Sequence, residues 1–92
     1  MSTSVWIYAN VPVENIHCMD ALLRPIAEKF GFKPTGGGCC VLGGKLFLKR
    51  DNSFNADGKT EDEISNFRSD CEMRLAEEGF GGVKSEVFKV AA

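Results

Sequence analysis

Two stretches of this chain end alike: Ala27-Glu28-Lys29-Phe30-Gly31-Phe32 and Ala76-Glu77-Glu78-Gly79-Phe80. Each closes an amphipathic helical pattern that follows a β-like run. Between them lies Leu42-Gly43-Gly44-Lys45, where the glycine pair supplies the positive φ of a tight two-residue hairpin turn. The plan is two βαβ halves joined by a hairpin. Ninety-two residues hold one such core and not two, so residues 1–92 read as one domain.

Local patterning supports each element. Ser4 to Val11 is rich in β-branched and aromatic residues and reads as a first strand, with Val5, Ile7 and Ala9 on one face and Trp6, Tyr8 and Asn10 on the other. Pro12 ends it. A helix follows to about Phe30, carrying Ile16, Met19, Leu23, Ile26, Ala27 and Phe30 at the spacing of one buried face. Pro25 lies inside that pattern and predicts a kink or a fresh helical turn there. Gly31 supplies the left-handed stop.

Gly36 to Leu42 enters a second strand, and Lys45 to Arg50 forms a third, with Leu46 and Leu48 inward and Phe47 outward. Asp51 to Lys59 reads as a polar loop with one stray aromatic, Phe54. Thr60-Glu61-Asp62-Glu63 is a capping box, a hydroxyl at the cap and a carboxylate three residues on. The second helix then buries Ile64, Phe67, Cys71 and Leu75, Gly79 closes it, and Val83 to Val90 is the last strand. The order is that of a small ferredoxin-like βαββαβ sandwich, an antiparallel sheet with two helices on one face.

Composition excludes several classes. No stretch approaches the roughly 18 consecutive apolar residues of a membrane span. Met1-Ser2-Thr3-Ser4 lacks the basic and apolar regions of a signal peptide, which predicts a cytosolic chain. Cys18, Cys39, Cys40 and Cys71 include no Cys-x-x-Cys pair, and they read as small buried hydrophobes in a reducing compartment.

The motifs that would name a chemistry fail on detail. Gly38 to Lys45 has glycines and a lysine, but Leu46 follows Lys45 and the context is a strand, so the phosphate-loop pattern is broken. Asp51, Ser53, Asn55 and Asp57 have calcium-loop spacing, yet Ala56 stands where the sharp turn needs glycine. His17 sits beside Cys18 near a helix start, where adjacent side chains diverge, and reads as a surface histidine. No catalytic order of nucleophile, base and acid is present. The expectation is a non-enzymatic chain with no cofactor, no metal and no small-molecule substrate.

The pattern richest in function lies on the sheet face that helices would leave open. Trp6, Tyr8, Phe47 and Phe88 share it, with Lys45, Lys49 and Lys84 beside them. Aromatics interleaved with lysines stack bases and neutralise phosphates. Val5 to Val11 resembles the first-strand signature of the RNA-recognition motif but is one residue too long. Gly44 to Lys49 lacks that family's third-strand aromatic core. An exposed aromatic patch serves equally as a protein-binding surface or a dimer interface. Nucleic acid and protein therefore both stand as partners.

Charge is unevenly split: residues 1–50 carry +3 and residues 51–92 carry −5. A free-standing domain, an acidic second helix at Glu61 to Glu78 and a basic, aromatic strand at Lys45 to Arg50 together resemble phage-encoded anti-CRISPR proteins acting on type I, Cascade-like surveillance complexes. Those inhibitors share no motif, so the resemblance carries over no residue by alignment. It implies an inhibitor of host cytoplasm that binds effector ribonucleoprotein subunits, with direct guide RNA contact, and blocks target DNA binding. In that reading Asp62, Asp70, Glu72 and Glu77 meet cations that normally hold DNA. Lys45, Lys49 and Arg50 touch the guide backbone or acidic protein patches.

Overall fold

The computed structural model describes residues 2–15, 18–41 and 47–91, and the side chains of all these except 13, 38–41 and 47–49. Among them run β1 (Ser2–Pro12), a short 3-10 turn (Val13–Asn15), α1 (Cys18–Phe30), β2 (Lys33–Val41), β3 (Phe47–Asn55), α2 (Glu61–Glu77) and β4 (Gly81–Val90). The strands form one antiparallel sheet in the order β2-β3-β1-β4. This is the ferredoxin-like βαββαβ arrangement, with β1 central and β2 and β4 at the edges. The Gly43-Gly44 turn and His17 lie outside the described residues.

β1 shows why the sheet has two unlike faces. Val5, Ile7, Ala9 and Val11 are buried, while Trp6, Tyr8 and Asn10 between them are half-buried, the two-residue alternation of a strand covered on one side. Val5 lies opposite Phe54 of β3 on one flank and opposite Val87 of β4 on the other. Both helices cover that apolar face. α1 contributes Met19, Leu23 and Ala27, with Ile26 and Phe30 packed at the margin, and α2 contributes Ile64, Phe67, Cys71 and Leu75.

α1 runs without a break through Pro25. Gly31 (φ +74°) and Gly79 (φ +86°) follow α1 and α2 in the left-handed conformation that stops a helix. The capping box is reciprocal: the Glu63 N–H donates to Thr60 Oγ1, and the Thr60 N–H donates to Glu63 Oε1, both at 3.1 Å.

The sequence reading fails at one element. Asp51 to Asn55 is not loop but the second half of β3, paired to both β1 and β2. Phe54 is a core residue, 2% exposed, and Asn52 and Ser53 are buried as well. The polar run has no intrinsic strand signal. Long-range pairing decides it, because β1 reaches Ser4 and needs a partner at Asn55. The calcium-loop spacing disappears with the loop: Asp51, Ser53 and Asn55 are alternate strand positions. Among the described residues no group of His, Cys, Asp and Glu side chains is placed to hold a metal ion.

Candidate binding face

The open face of the sheet carries a compact aromatic cluster. Trp6 and Tyr8 lie two residues apart on β1, so they project to the same side, and their rings stack with centroids 6.4 Å apart. Phe88 reaches across from β4 and meets the Trp6 ring edge-on at 6.0 Å and 81°, the arrangement that the ring quadrupoles favour. With Ser4 and Val90 these rings line a shallow groove of about 290 Å³. Phe88 is 42% exposed and Val90 61%. In a chain this small the core holds fourteen hydrophobic residues among the described ones alone, so an apolar cluster left on the outer face calls for a reason other than folding.

Polar groups frame the cluster and orient its rings. Tyr8 Oη donates to Glu86 Oε2 at 3.3 Å, and Trp6 Nε1 donates to Ser4 Oγ at 3.2 Å. Lys84 Nζ stands over the Tyr8 ring at 5.1 Å and also pairs with Glu86 Oε1 at 3.7 Å. The Tyr8 phenol is pushed above its ordinary pKa by burial first, then by the charges of Glu86 and Asp51. Among the described residues its charged neighbours are Glu86, Asp51 and Lys84.

The other residues expected at the site divide, where they are described, between the two sides of the molecule. Phe47 and Lys49 occupy β3 positions paired with Pro12 and Asn10, their side chains outside what is described, and Lys45 lies outside the described residues altogether. Arg50 belongs to the other face. Its side chain is 12% exposed, and its Nη2 donates to Asp20 Oδ2 of α1 at 2.6 Å. It faces the helices because strand alternation places Arg50, Asn52 and Phe54 on the same side. Its role as an outward partner-binding cation is thus corrected.

On α2, Asp62 is exposed, whereas Asp70 pairs with Lys29 at 3.8 Å and Glu77 with Arg74 at 3.9 Å. Glu72 serves the fold: its Oε2 accepts from Ser85 Oγ, which itself accepts from Arg68 Nε at 2.7 Å, tying α2 to β4. The acidic helix and the aromatic sheet face lie on opposite sides of the molecule, so no single flat surface unites them.

Sequence reasoning missed Asp20, Asn52 and Ser85, each engaged in buried or half-buried hydrogen bonds. Asn52 carries no signal of its own in a segment whose composition reads as loop. Arg68 and Ser85 pair across two elements, which no local spacing reports.

No family model and no curated protein matches this sequence. Solved structures match its fold. The C-terminal domain of the MgtC protein from Mycobacterium tuberculosis is similar with a TM-score of 0.69 at 9% identity, covering 99% of this chain and 93% of that one. The de novo designed protein Foldit4 is similar with a TM-score of 0.67 at 9% identity, covering 100% and 99%. A formyltetrahydrofolate deformylase from Pseudomonas putida is similar over 95% of this chain but 29% of its own, with a TM-score of 0.56 at 16% identity. At these identities the likeness is one of fold alone. Among the described residues no helix is long and apolar enough to cross a membrane.

Proposed function

We propose that this chain is a non-enzymatic binding module that docks a protein partner on its open sheet face. The observation that carries the reading is the Trp6, Tyr8 and Phe88 cluster, left uncovered beside a fully formed core. Large rigid rings with a polar rim are what protein interfaces use as anchors. Charge favours protein over nucleic acid: around the rings the described residues place Lys84 against Glu86 and Asp51, a poor match for a phosphate backbone.

The partner supplied by the resemblance is a guide-RNA-loaded type I CRISPR surveillance complex, whose target DNA binding the chain would block. The exposed acids at Glu61, Asp62, Glu77 and Glu78 support that reading, since they offer a second, acidic surface to basic DNA-binding subunits. The test is co-migration of the purified chain with reconstituted type I complexes, together with their target-DNA binding. Association with loss of DNA binding is expected, and Trp6→Ala or Phe88→Ala should weaken it at least tenfold, roughly one anchor residue's worth. No association with any complex removes the CRISPR partner. Salt-sensitive binding of a short RNA that Trp6→Ala abolishes would instead make the face an RNA platform.

A further inference from the structure

β4 lies at the edge of the sheet, and among the described residues no strand pairs with its far side. An edge strand presents a row of open backbone donors and acceptors, and folds guard such edges with charges and bulges. β4 has both guards. Lys84 and Glu86 alternate along it, and a bulge between Gly81 and Lys84 ends its regular ladder with β1, with Gly82 at φ +62°.

The order of side chains along this edge is self-complementary. Lys84, Glu86 and Phe88 stand on the open face, opposite Tyr8, Trp6 and Ser4 of β1. Val83 and Val87 pack towards the core, and Ser85 between them lies under α2. Directly opposed residues of an antiparallel pair point to the same side. Two copies of β4 related by a two-fold axis through the sheet therefore meet with one residue on the axis. With Ser85 there, Lys84 of each copy stands opposite Glu86 of the other, and Val83 opposite Val87. Moving the axis by one residue sets Lys84 against Lys84 or Glu86 against Glu86, so the same charges that guard the edge select one register.

The helix layer repeats the match. α2 packs on β1 and β4, and Ser65, Arg68, Glu72 and Ala76 fall along one side of it at helical spacing. That side faces the edge, since Arg68 Nε donates to Ser85 Oγ at 2.7 Å and Ser85 Oγ donates to Glu72 Oε2 at 3.1 Å. An axis at Ser85 reverses α2, bringing Arg68 of one copy towards Glu72 of the other and Ser65 towards Ala76. α2 covers both β1 and β4, so its two copies would lie roughly two strand spacings, about 10 Å, apart, which is the packing distance of helices.

We infer that two copies of this chain pair through β4, in antiparallel register about Ser85, to make one continuous sheet. Phe88 of each copy then lies beside the Gly81–Gly82 bulge of the other, where no side chain competes with its ring. The two aromatic clusters come to lie side by side on the same face. The pairing stands apart from whatever that face binds.

Sedimentation velocity of the full chain, from micromolar to millimolar concentration and with no partner present, tests the pairing. A species of twice the chain mass is expected. Lys84→Glu and Glu86→Lys each set like charges against one another and should weaken the dimer roughly tenfold or more. Mixed in equal amounts, the two variants restore opposite charges at both contacts, so a heterodimer should form where neither variant pairs alone. A second measurement needs no variant: on dimerisation the backbone amides of β4 should gain protection from hydrogen exchange. A chain that stays monomeric at millimolar concentration, a dimer that both reversals leave intact, or a dimer with unchanged exchange along β4 overturns the inference. So does a dimer that survives both reversals and dissociates in Trp6→Ala, which would join the open faces instead.

Discussion

Phe32 and Phe67 stack face to face, their ring centroids 4.1 Å apart and their planes 7° from parallel. Phe67 also meets Phe54 edge-on at 5.1 Å and Phe30 at 6.1 Å. One fully buried ring of α2 thus joins the end of α1, the start of β2 and the polar half of β3. Phe67→Ala should cost about 3–5 kcal/mol, comparable with the whole stability of a domain this size. The variant is expected to be largely unfolded by circular dichroism. Phe67→Leu should lose about 1–2 kcal/mol and still melt cooperatively. Phe88→Ala, on the open face, should shift the urea midpoint far less than either.

Asp20 is the only carboxylate shown pairing with Arg50 among the described residues, and it holds Asn52 as well. Asp20→Ala should destabilise by about 2–3 kcal/mol, because the guanidinium stays buried without its counter-charge. Adding Arg50→Met should recover much of that loss, since the unpaired charge then disappears. Urea denaturation of the two variants checks this. Additive losses in the double variant would show that the pair is not coupled.

Two exposed carboxylates give the fold an acid sensitivity. Asp57 is held below the ordinary carboxylate range, chiefly by the Thr3 N–H that donates to its Oδ1 at 2.6 Å, then by Asn55. Glu63 is lowered by the Thr60 N–H, then by the Thr60 side chain. A folded-state pKa below the unfolded one contributes stability that is complete above the unfolded value and is lost as pH falls through the folded one. The melting temperature should therefore decline below the ordinary carboxylate range. Asp57→Asn and Glu63→Gln should each make that decline shallower in a pH series of thermal melts.

The thiols should differ sharply in reactivity. Cys71 is buried against the sheet, and burial, with smaller contributions from Asp70 and Glu72, pushes its pKa up to about 12. The thiolate is the reactive form, so Cys71 should resist iodoacetamide in native protein and react on addition of denaturant. Cys18 is exposed and should be alkylated before Cys71. Peptide mapping by mass spectrometry separates the two sites. Rapid native labelling of Cys71 would mean that α2 opens from the sheet under native conditions.

On the open face, the phenol of Tyr8 reports its charged neighbours. Glu86→Gln should move its titration back towards the ordinary value, because it removes a neighbouring charge and weakens a hydrogen bond to the protonated form. Ultraviolet difference absorbance across the alkaline range reads that change. An unmoved titration would leave burial and the Asp51 charge as the causes.

Much of this fold is legible in local order. The alternation of Val5, Ile7 and Ala9, the spacing of Met19, Leu23 and Ala27, the capping box at Thr60 and the stops at Gly31 and Gly79 all depend on near neighbours. Those features alone lead to βαββαβ. The aromatic face was legible for the same reason, since Trp6 and Tyr8 fall on the side of β1 opposite its buried residues.

Local patterning therefore settles the element order, the buried side of each helix and the aromatic outer side of β1. Long-range packing makes Asp51 to Asn55 a strand, brings Phe54 to Phe67 and turns Arg50 inward to Asp20. The reason is physical. Helix periodicity and capping are short-range and are written within one or two turns, whereas a polar strand is stabilised by ladders to β1 and β2, from residues far away in the chain. The inward face of β3, with its buried guanidinium and half-satisfied amide, exists only once α1 has been laid across that pairing.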